Sequence, residues 1–288
     1  LDDTITQEQT TNDTSAKLDI SQFVTHALLK SKDYVNANDL DRVINNVGDA
    51  LRTYINEEIA KVEISKPNII ELKRGNLPNL ELGVQHRAFE DLLIMCNTRT
   101  RDGNRLNVWV HGPAGTGKST AAAKVAEALG LDFYTLGKQS TEYGILGFIN
   151  ISGYQRTQFR EAYEHGGIFC GDEMDGWLPD ANIAINMALA NGHCPFPDKL
   201  VARHPDFIMI GCANTAGNGS TMEYVGRMKQ DKAFMNRFVP LFWPLDEALE
   251  DSLVANKDWL ARVRYVRKAV ERQGLKGILI TPRASIFG

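Results

Sequence analysis

The stretch Gly112-Pro113-Ala114-Gly115-Thr116-Gly117-Lys118-Ser119 carries the residue types and spacing of a phosphate-binding loop. Glycines let the backbone approach phosphate oxygens closely and turn its N–H groups inward. Lys118 would neutralise the β and γ phosphates, and the Ser119 hydroxyl, followed by Thr120, would ligate Mg²⁺. The context suits the motif. An apolar run, Leu106 to Val110, precedes it and reads as a buried strand. Ala121, Ala122, Val125, Ala126 and Leu129 follow at helical spacing and stop at Gly130. A helix that starts at the loop adds favourable partial charge for an anion.

Hydrolysis needs more than a cradle. Gly167-Ile168-Phe169-Cys170-Gly171 is an apolar strand that ends in Asp172 and Glu173. At a strand tip Asp172 can hold the Mg²⁺ shell, and Glu173 can polarise an attacking water. The run Phe207–Ala213 ends at Asn214, whose amide can orient that water. Arg237 precedes another short strand, at the surface, where it could touch a neighbouring subunit's nucleotide; such arginines supply roughly 10³–10⁵ in rate in other nucleotide hydrolases. Arg283, in Thr281-Pro282-Arg283-Ala284, could reach back to a γ-phosphate.

These groups need a scaffold. Five strands are expected near 106–110, 132–135, 168–172, 207–213 and 238–243, the first four separated by helical patterns. That alternation predicts βα units and a parallel sheet. Pro240 cannot donate to a ladder, so its strand belongs on an edge. From Asp246 onward the pattern is helical, and a small helical lid over 245–288 is expected. Ahead of the α/β core, placed at 67–244, residues 1–66 read as a polar tail and two helices. The second of these has a seam of Leu40, Ile44, Val47, Leu51 and Tyr54 at coiled-coil-like spacing.

Composition narrows the class. The chain has 288 residues, 43% of them hydrophobic, and a net charge of −4. A polyanion-binding fold is not indicated, though the basic stretch Arg262, Arg264, Arg267, Lys268 and Arg272 reads as a solvated helix face. No apolar run approaches the roughly 20 residues that span a bilayer, and a cytoplasmic setting is expected. Cys96, Cys170, Cys194 and Cys212 show no paired spacing and read as buried thiols. His193, Cys194 and His204 fit no zinc pattern. The first residue is Leu1, and the chain reads as a piece of a longer protein.

The ordered set of phosphate loop, Asp172-Glu173, Asn214, Arg237 and Arg283 resembles the AAA+ ATPases from about Leu82 onward. Leu82-Gly83-Val84-Gln85-His86, Glu164-His165-Gly166-Gly167, the segment from Ala188 to Cys194, and Ala213-Asn214-Thr215 are similar to the dynein-related group. Within it the likeness is to MoxR and to CobS-like ATPases of bacteria and their phages. The resemblance implies strand order 5-1-4-3-2, base contacts near Val84 and His86, and ATP with Mg²⁺. It implies a homo-oligomeric ring, usually hexameric, with sites shared between subunits. In that setting it implies work on a protein partner, in related systems often one with an adhesion domain. McrB-like nucleic-acid-stimulated NTPases and a nucleotide-gated scaffold are the alternatives. In this family the segment containing Tyr143, Phe148, Ile149 and Tyr154 lies near a central pore. A β-hairpin is expected between Asn191 and Pro205, turning at Pro195–Asp198.

Overall fold

The computed structural model describes residues 68–74, 77–275 and 277–287, all within one unit, Ser65–Gly288. The expected N-terminal helices and their seam lie outside the described residues. The core opens on an antiparallel hairpin that the sequence reading did not include, β1 (Asn68–Arg74) and β2 (Leu77–Gln85). Helix α1 (Phe89–Asn97) follows.

Five strands then build one parallel sheet: β3 (Val108–His111), β4 (Phe133–Leu136), β7 (Gly167–Gly171), β10 (Phe207–Ala213) and β11 (Val239–Phe242). Their order is β11-β3-β10-β7-β4, which is the order 5-1-4-3-2. Each strand falls within two residues of its expected place, the usual uncertainty of element ends. β11 is an edge strand that pairs only with β3, setting Pro240 opposite Trp109. A missing N–H does no harm there.

Alternation along the strands divides the interior into two layers. Val108, Val110, Ile168, Ile208 and Ile210 face α1 and helix α2 (Lys118–Leu129). Trp109, Phe169, Phe207 and Met209 face the other way. There they meet α4 (Gln158–His165) and α5 (Pro179–Asn191). Because both faces are covered, β10 is buried along its whole length, as its unbroken apolar sequence requires. All four cysteines are buried and free.

Two small hairpins project from this frame. After α3 (Tyr143–Leu146) come β5 (Phe148–Asn150) and β6 (Gly153–Gln155). After α5 come β8 (His193–Pro195) and β9 (Leu200–Ala202). The second turns one residue later than expected, because Pro195 pairs with Leu200 and Phe196 N–H donates to Lys199 O at 3.0 Å. Arg160 of α4 fixes it in place. That side chain is fully buried, donates to Glu164 and Asp198 at 2.9 and 2.8 Å, and lies 4.3 Å over the Phe196 ring.

Short helix α6 (Lys232–Met235) leads into β11. Beyond the sheet stand α7 (Glu247–Leu253), α8 (Lys257–Arg272) and α9 (Pro282–Ile286). The solvated basic face expected on α8 is corrected here. Arg267 is buried and makes a two-pronged pair with Glu250 at 2.7 and 3.0 Å. Arg264 pairs with Glu250 and Asp251 at 3.2 and 3.1 Å. Arg262, Lys268 and Arg272 remain exposed. Among the described residues no helix is long and apolar enough to cross a membrane.

Candidate functional site

The phosphate loop runs from the carboxyl end of β3 into α2 and needs its glycines for three separate reasons. A Cβ on Gly112 would sit 1.9 Å from the Trp243 carbonyl oxygen, so the chain leaving β11 excludes any side chain there. Gly115 and Gly117 adopt φ of 73° and 84°, the left-handed region that an L side chain rarely enters. The third reason is a neighbour. Atoms of Thr281 and Arg283 lie 3.2–3.3 Å from a Cβ built on Gly115, which brings the start of α9 against the loop.

Lys118 is buried, and its ammonium donates to Gly112 O, Pro113 O and Asn214 Oδ1 at 2.9, 2.8 and 3.3 Å. Burial without a bonded carboxylate pushes the amine down to about 8. Phosphate oxygens would offer it the negative charge that carbonyl dipoles only imitate. Ser119, one residue on, donates from Oγ to Asp172 Oδ1 at 2.9 Å. A hydroxyl and a carboxylate meeting at a helix start are hard oxygen donors. They fit Mg²⁺, which takes few protein ligands and completes its shell with water and substrate phosphates. Among the described residues no group of three or more His, Cys, Asp or Glu side chains is placed to hold a metal ion.

A cleft of about 480 Å³ opens beside the loop. Val84, His86, Thr120, Pro282 and Arg283 are among the residues that line it. His86 is buried and stacked on Trp243, with ring centroids 4.0 Å apart and 16° between planes. Its Nδ1 accepts the Ala88 N–H at 3.0 Å, which leaves Nε2–H to donate to Pro244 O at 2.8 Å. That tautomer is neutral, and burial holds the ring below its ordinary pKa. Trp243 in turn donates from Nε1 to Thr116 O at 3.0 Å, so the stack and the phosphate loop form one rigid wall.

At the ends of the adjoining strands stand Asp172, Glu173 and Asn214. Glu173 has φ 50° and ψ 38°, and among the described residues no other non-glycine has positive φ. Strained backbone of this kind persists only where its surroundings over-determine it, and it gathers at functional sites. Here the Glu173 N–H donates to Asp172 Oδ1 at 3.1 Å, and Glu173 O accepts from Gly176 N–H at 2.8 Å. Its carboxylate is exposed and lies 3.2 Å from Arg227 Nη1.

Three participants escaped the sequence reading. Asp175, fully buried, binds the backbone of Asn214 and Thr215 and so ties the two strand tips together. Arg227 meets Glu173, and the Tyr224 hydroxyl accepts the Ala114 N–H at 3.0 Å. Asp175 was the legible one, as a third acid three residues after Asp172. Tyr224 and Arg227 lie in a polar, glycine-bearing loop with no period to read.

Arg237 is elsewhere. Its carbonyl accepts from Asn107 Nδ2 at 3.2 Å, just before β3, and its Nε donates to Asn186 Oδ1 at 3.3 Å. The phosphate loop leaves the other end of β3, so the strand, roughly 13 Å long, separates the two within one chain. The pore candidates also divide. Tyr143, Phe148 and Ile149 are exposed, joined by Ile151, which the sequence reading did not single out. Tyr154 is half-buried and donates from its hydroxyl to Leu146 O at 2.7 Å, so it supports the hairpin rather than projecting from it.

Comparison with known proteins gives a family match over the central part of the chain. Residues 107–238 match the family model of the AAA domain (dynein-related subfamily), a little under half of the chain. That match supports an AAA+ ATPase domain over those residues. No curated protein matches the sequence. Among solved structures, two mutants of RuvB from Thermotoga maritima align at 16% and 14% identity, each with a TM-score of 0.39. The alignments cover 63% and 69% of this chain but 49% and 56% of those structures, about half their length. A likeness this distant carries no argument about the site.

Proposed function

We propose that the chain hydrolyses ATP as one subunit of a homo-oligomeric ring, usually of six, and uses the turnover to remodel a protein partner as CobS- and MoxR-like ATPases do. The carrying observation is the position of Arg237 at the opposite end of β3 from the phosphate loop. An exposed arginine there cannot serve its own nucleotide, but it can complete a neighbour's.

Each residue then has a task. The amides of the loop and Lys118 bind the β and γ phosphates. Ser119 and Asp172 would hold Mg²⁺, which supplies charge neutralisation to the phosphates when bound. Val84 and His86 border the base. Glu173 accepts the proton of the attacking water, whose position Asn214 sets through its amide. Arg283, beside Gly115, meets negative charge on the γ phosphate, and Arg237 of an adjacent copy meets the same charge from outside. Exposed Tyr143, Phe148 and Ile149 offer an apolar grip suited to a polypeptide. Nucleic acid draws less support, because Arg264 and Arg267 of the basic stretch are engaged in ion pairs.

Mixing Arg237→Ala with Lys118→Ala subunits tests shared sites. Each variant alone should be inactive. In mixed rings some interfaces join an intact loop to an intact arginine, so activity should partly return. No return at any ratio would overturn sites completed between subunits.

A further inference from the structure

The segment from Asn214 to Gln230 touches the phosphate loop at two points. Asn214 Oδ1 accepts from Lys118 Nζ at 3.3 Å, and the Tyr224 hydroxyl oxygen accepts the Ala114 N–H at 3.0 Å. Bonds within the segment hold the second contact in place. Gln230 N–H donates to Gly217 O at 2.9 Å, and Asn218 and Lys229 form an antiparallel bridge, which together close the base. Further out, Ser220 Oγ donates to Arg227 O at 2.8 Å. Thr221 N–H donates to Tyr224 O at 3.2 Å, and Thr221 Oγ1 accepts the Tyr224 N–H at 3.1 Å. This reciprocal pair fixes the backbone that carries the phenol.

An amide of a phosphate loop is a donor for an anion, and this one meets a neutral phenol oxygen. Accepting through a lone pair leaves the phenol its own proton to donate. The half-buried Tyr224 side chain therefore brings a hydroxyl donor to a loop whose other donors are backbone amides and one ammonium. Its neighbours say which end of a nucleotide it meets. Lys118, the residue type that reaches β and γ phosphates, donates to Pro113 O, one residue before Ala114, at 2.8 Å. Asn214, placed above at the water that attacks the γ phosphate, begins the same segment. Both contacts of the segment thus belong to the terminal phosphate rather than to the base.

We propose that the Tyr224 hydroxyl is a further substrate contact, which donates to an oxygen of the terminal phosphate and so favours a nucleoside triphosphate over a diphosphate. A phosphate oxygen that takes the Ala114 N–H turns the phenol from acceptor to donor. No bond to phosphorus forms or breaks through the tyrosine, and its proton stays on the phenol. The proposal rests on the nucleotide site proposed above and names the group that tells three phosphates from two.

Calorimetric titration of the whole chain with ADP and with the β,γ-imido analogue of ATP decides it. Tyr224→Phe keeps the ring and removes only the hydroxyl. It should weaken the triphosphate analogue about tenfold, the scale of a hydrogen bond to a charged group, and leave ADP within about twofold of the parent. Equal weakening of both ligands overturns the proposal, because a hydroxyl that merely supports the loop serves both. Tighter binding of either overturns it too, since the hydroxyl would then only block the amide, and so does an unchanged pair of affinities. Should Tyr224→Phe fail to fold, Thr221→Ala decides in its place, for it loosens the turn that holds the phenol. It should weaken the analogue more than ADP, and any other result overturns the proposal. Lys118→Ala separates the two failures. Undiminished binding of the analogue there sinks the nucleotide site itself, whereas lost binding there beside an unmoved Tyr224→Phe sinks only the tyrosine contact.

Discussion

Two of the buried cations among the described residues, Lys118 and Arg267, are held in opposite ways. Lys118, in the phosphate loop, touches two backbone carbonyls and an amide oxygen. Arg267, in the C-terminal helices, meets the Glu250 carboxylate with both of its terminal nitrogens. Ser285 also donates to Glu250, and Arg264 reaches it from the outer side. One charge is matched within the chain and joins α7, α8 and α9. The other is left facing dipoles alone and waits for an anion. A buried charge without a counter-charge works against stability, so its retention in the loop points to a ligand. A buried charge with its partner points to architecture.

The largest effect should come from removing the unmatched charge. Lys118→Met should weaken ATP binding at least about a hundredfold, as loss of a close charge-assisted contact to phosphate does. Its melting temperature should stay level or rise, because burial of an ammonium is relieved. Titration calorimetry and thermal unfolding read the two quantities on one sample. A variant that bound ATP normally but melted early would reverse the assignment of this lysine.

Arg267→Met should do the opposite. It leaves Glu250 buried with its main partner gone, and the expected loss is about 3 kcal/mol of stability, read by denaturant unfolding. ATP affinity per folded molecule should stay within about twofold. The double variant Arg267→Met/Glu250→Leu should recover most of that loss, since replacing both charges removes the unpaired one. No recovery would mean that the pair does more than match charge.

Acid and alkali should separate the regions next. Arg267 and Ser285 hold Glu250 below its ordinary carboxylate value. Its stabilisation is therefore complete above the unfolded value of 4.5 and is lost as pH falls through the folded value. Lys118 is also depressed, from 10.5 to about 8, but it is a base, so the sign differs. Below about 8 the charge is buried at full cost; between 8 and 10.5 the folded lysine gives up its proton first, and the ligand-free chain gains stability as pH rises. ATP binding runs the other way, because phosphates want the protonated form. Affinity should be flat up to pH 8 and decline above it, and Lys118→Met should abolish the decline. Smallest of all, Arg264→Gln should cost about 0.5 kcal/mol, since its pair with Asp251 is part-exposed.

The contrast also explains what could be read in advance. Lys118 announced itself because its function demands fixed spacing over the eight consecutive residues Gly112–Ser119, glycines included. Arg267 did not, because a charge at helical spacing looks the same whether it faces water or Glu250. The basic stretch was expected as one solvated face, and two of its five members turn inward toward an acidic residue on another helix. Strand order was legible through resemblance and through Pro240, whose missing N–H leaves it few places in a sheet. The three exposed aromatic and aliphatic residues near β5 could be placed in a segment but not aimed. Tyr154, similar in type, folds back to bond Leu146. Tyr224 and Arg227 had no signal, for their meaning depends on where a loop returns after crossing the sheet.

By itself the sequence determined the phosphate loop, the acids and amide at the strand tips, and the strand–helix alternation that must bear them. Those follow from local rules: glycine's freedom, the period of apolar residues, and a fixed distance from backbone to phosphate. Tertiary structure alone decided which charges are matched and which end of the sheet each arginine occupies. Charge pairing and burial arise between segments far apart in the chain, so no local pattern can carry them. Lys118 and Arg267 differ by a carboxylate seventeen residues upstream of one and absent beside the other, and the fold determines that difference.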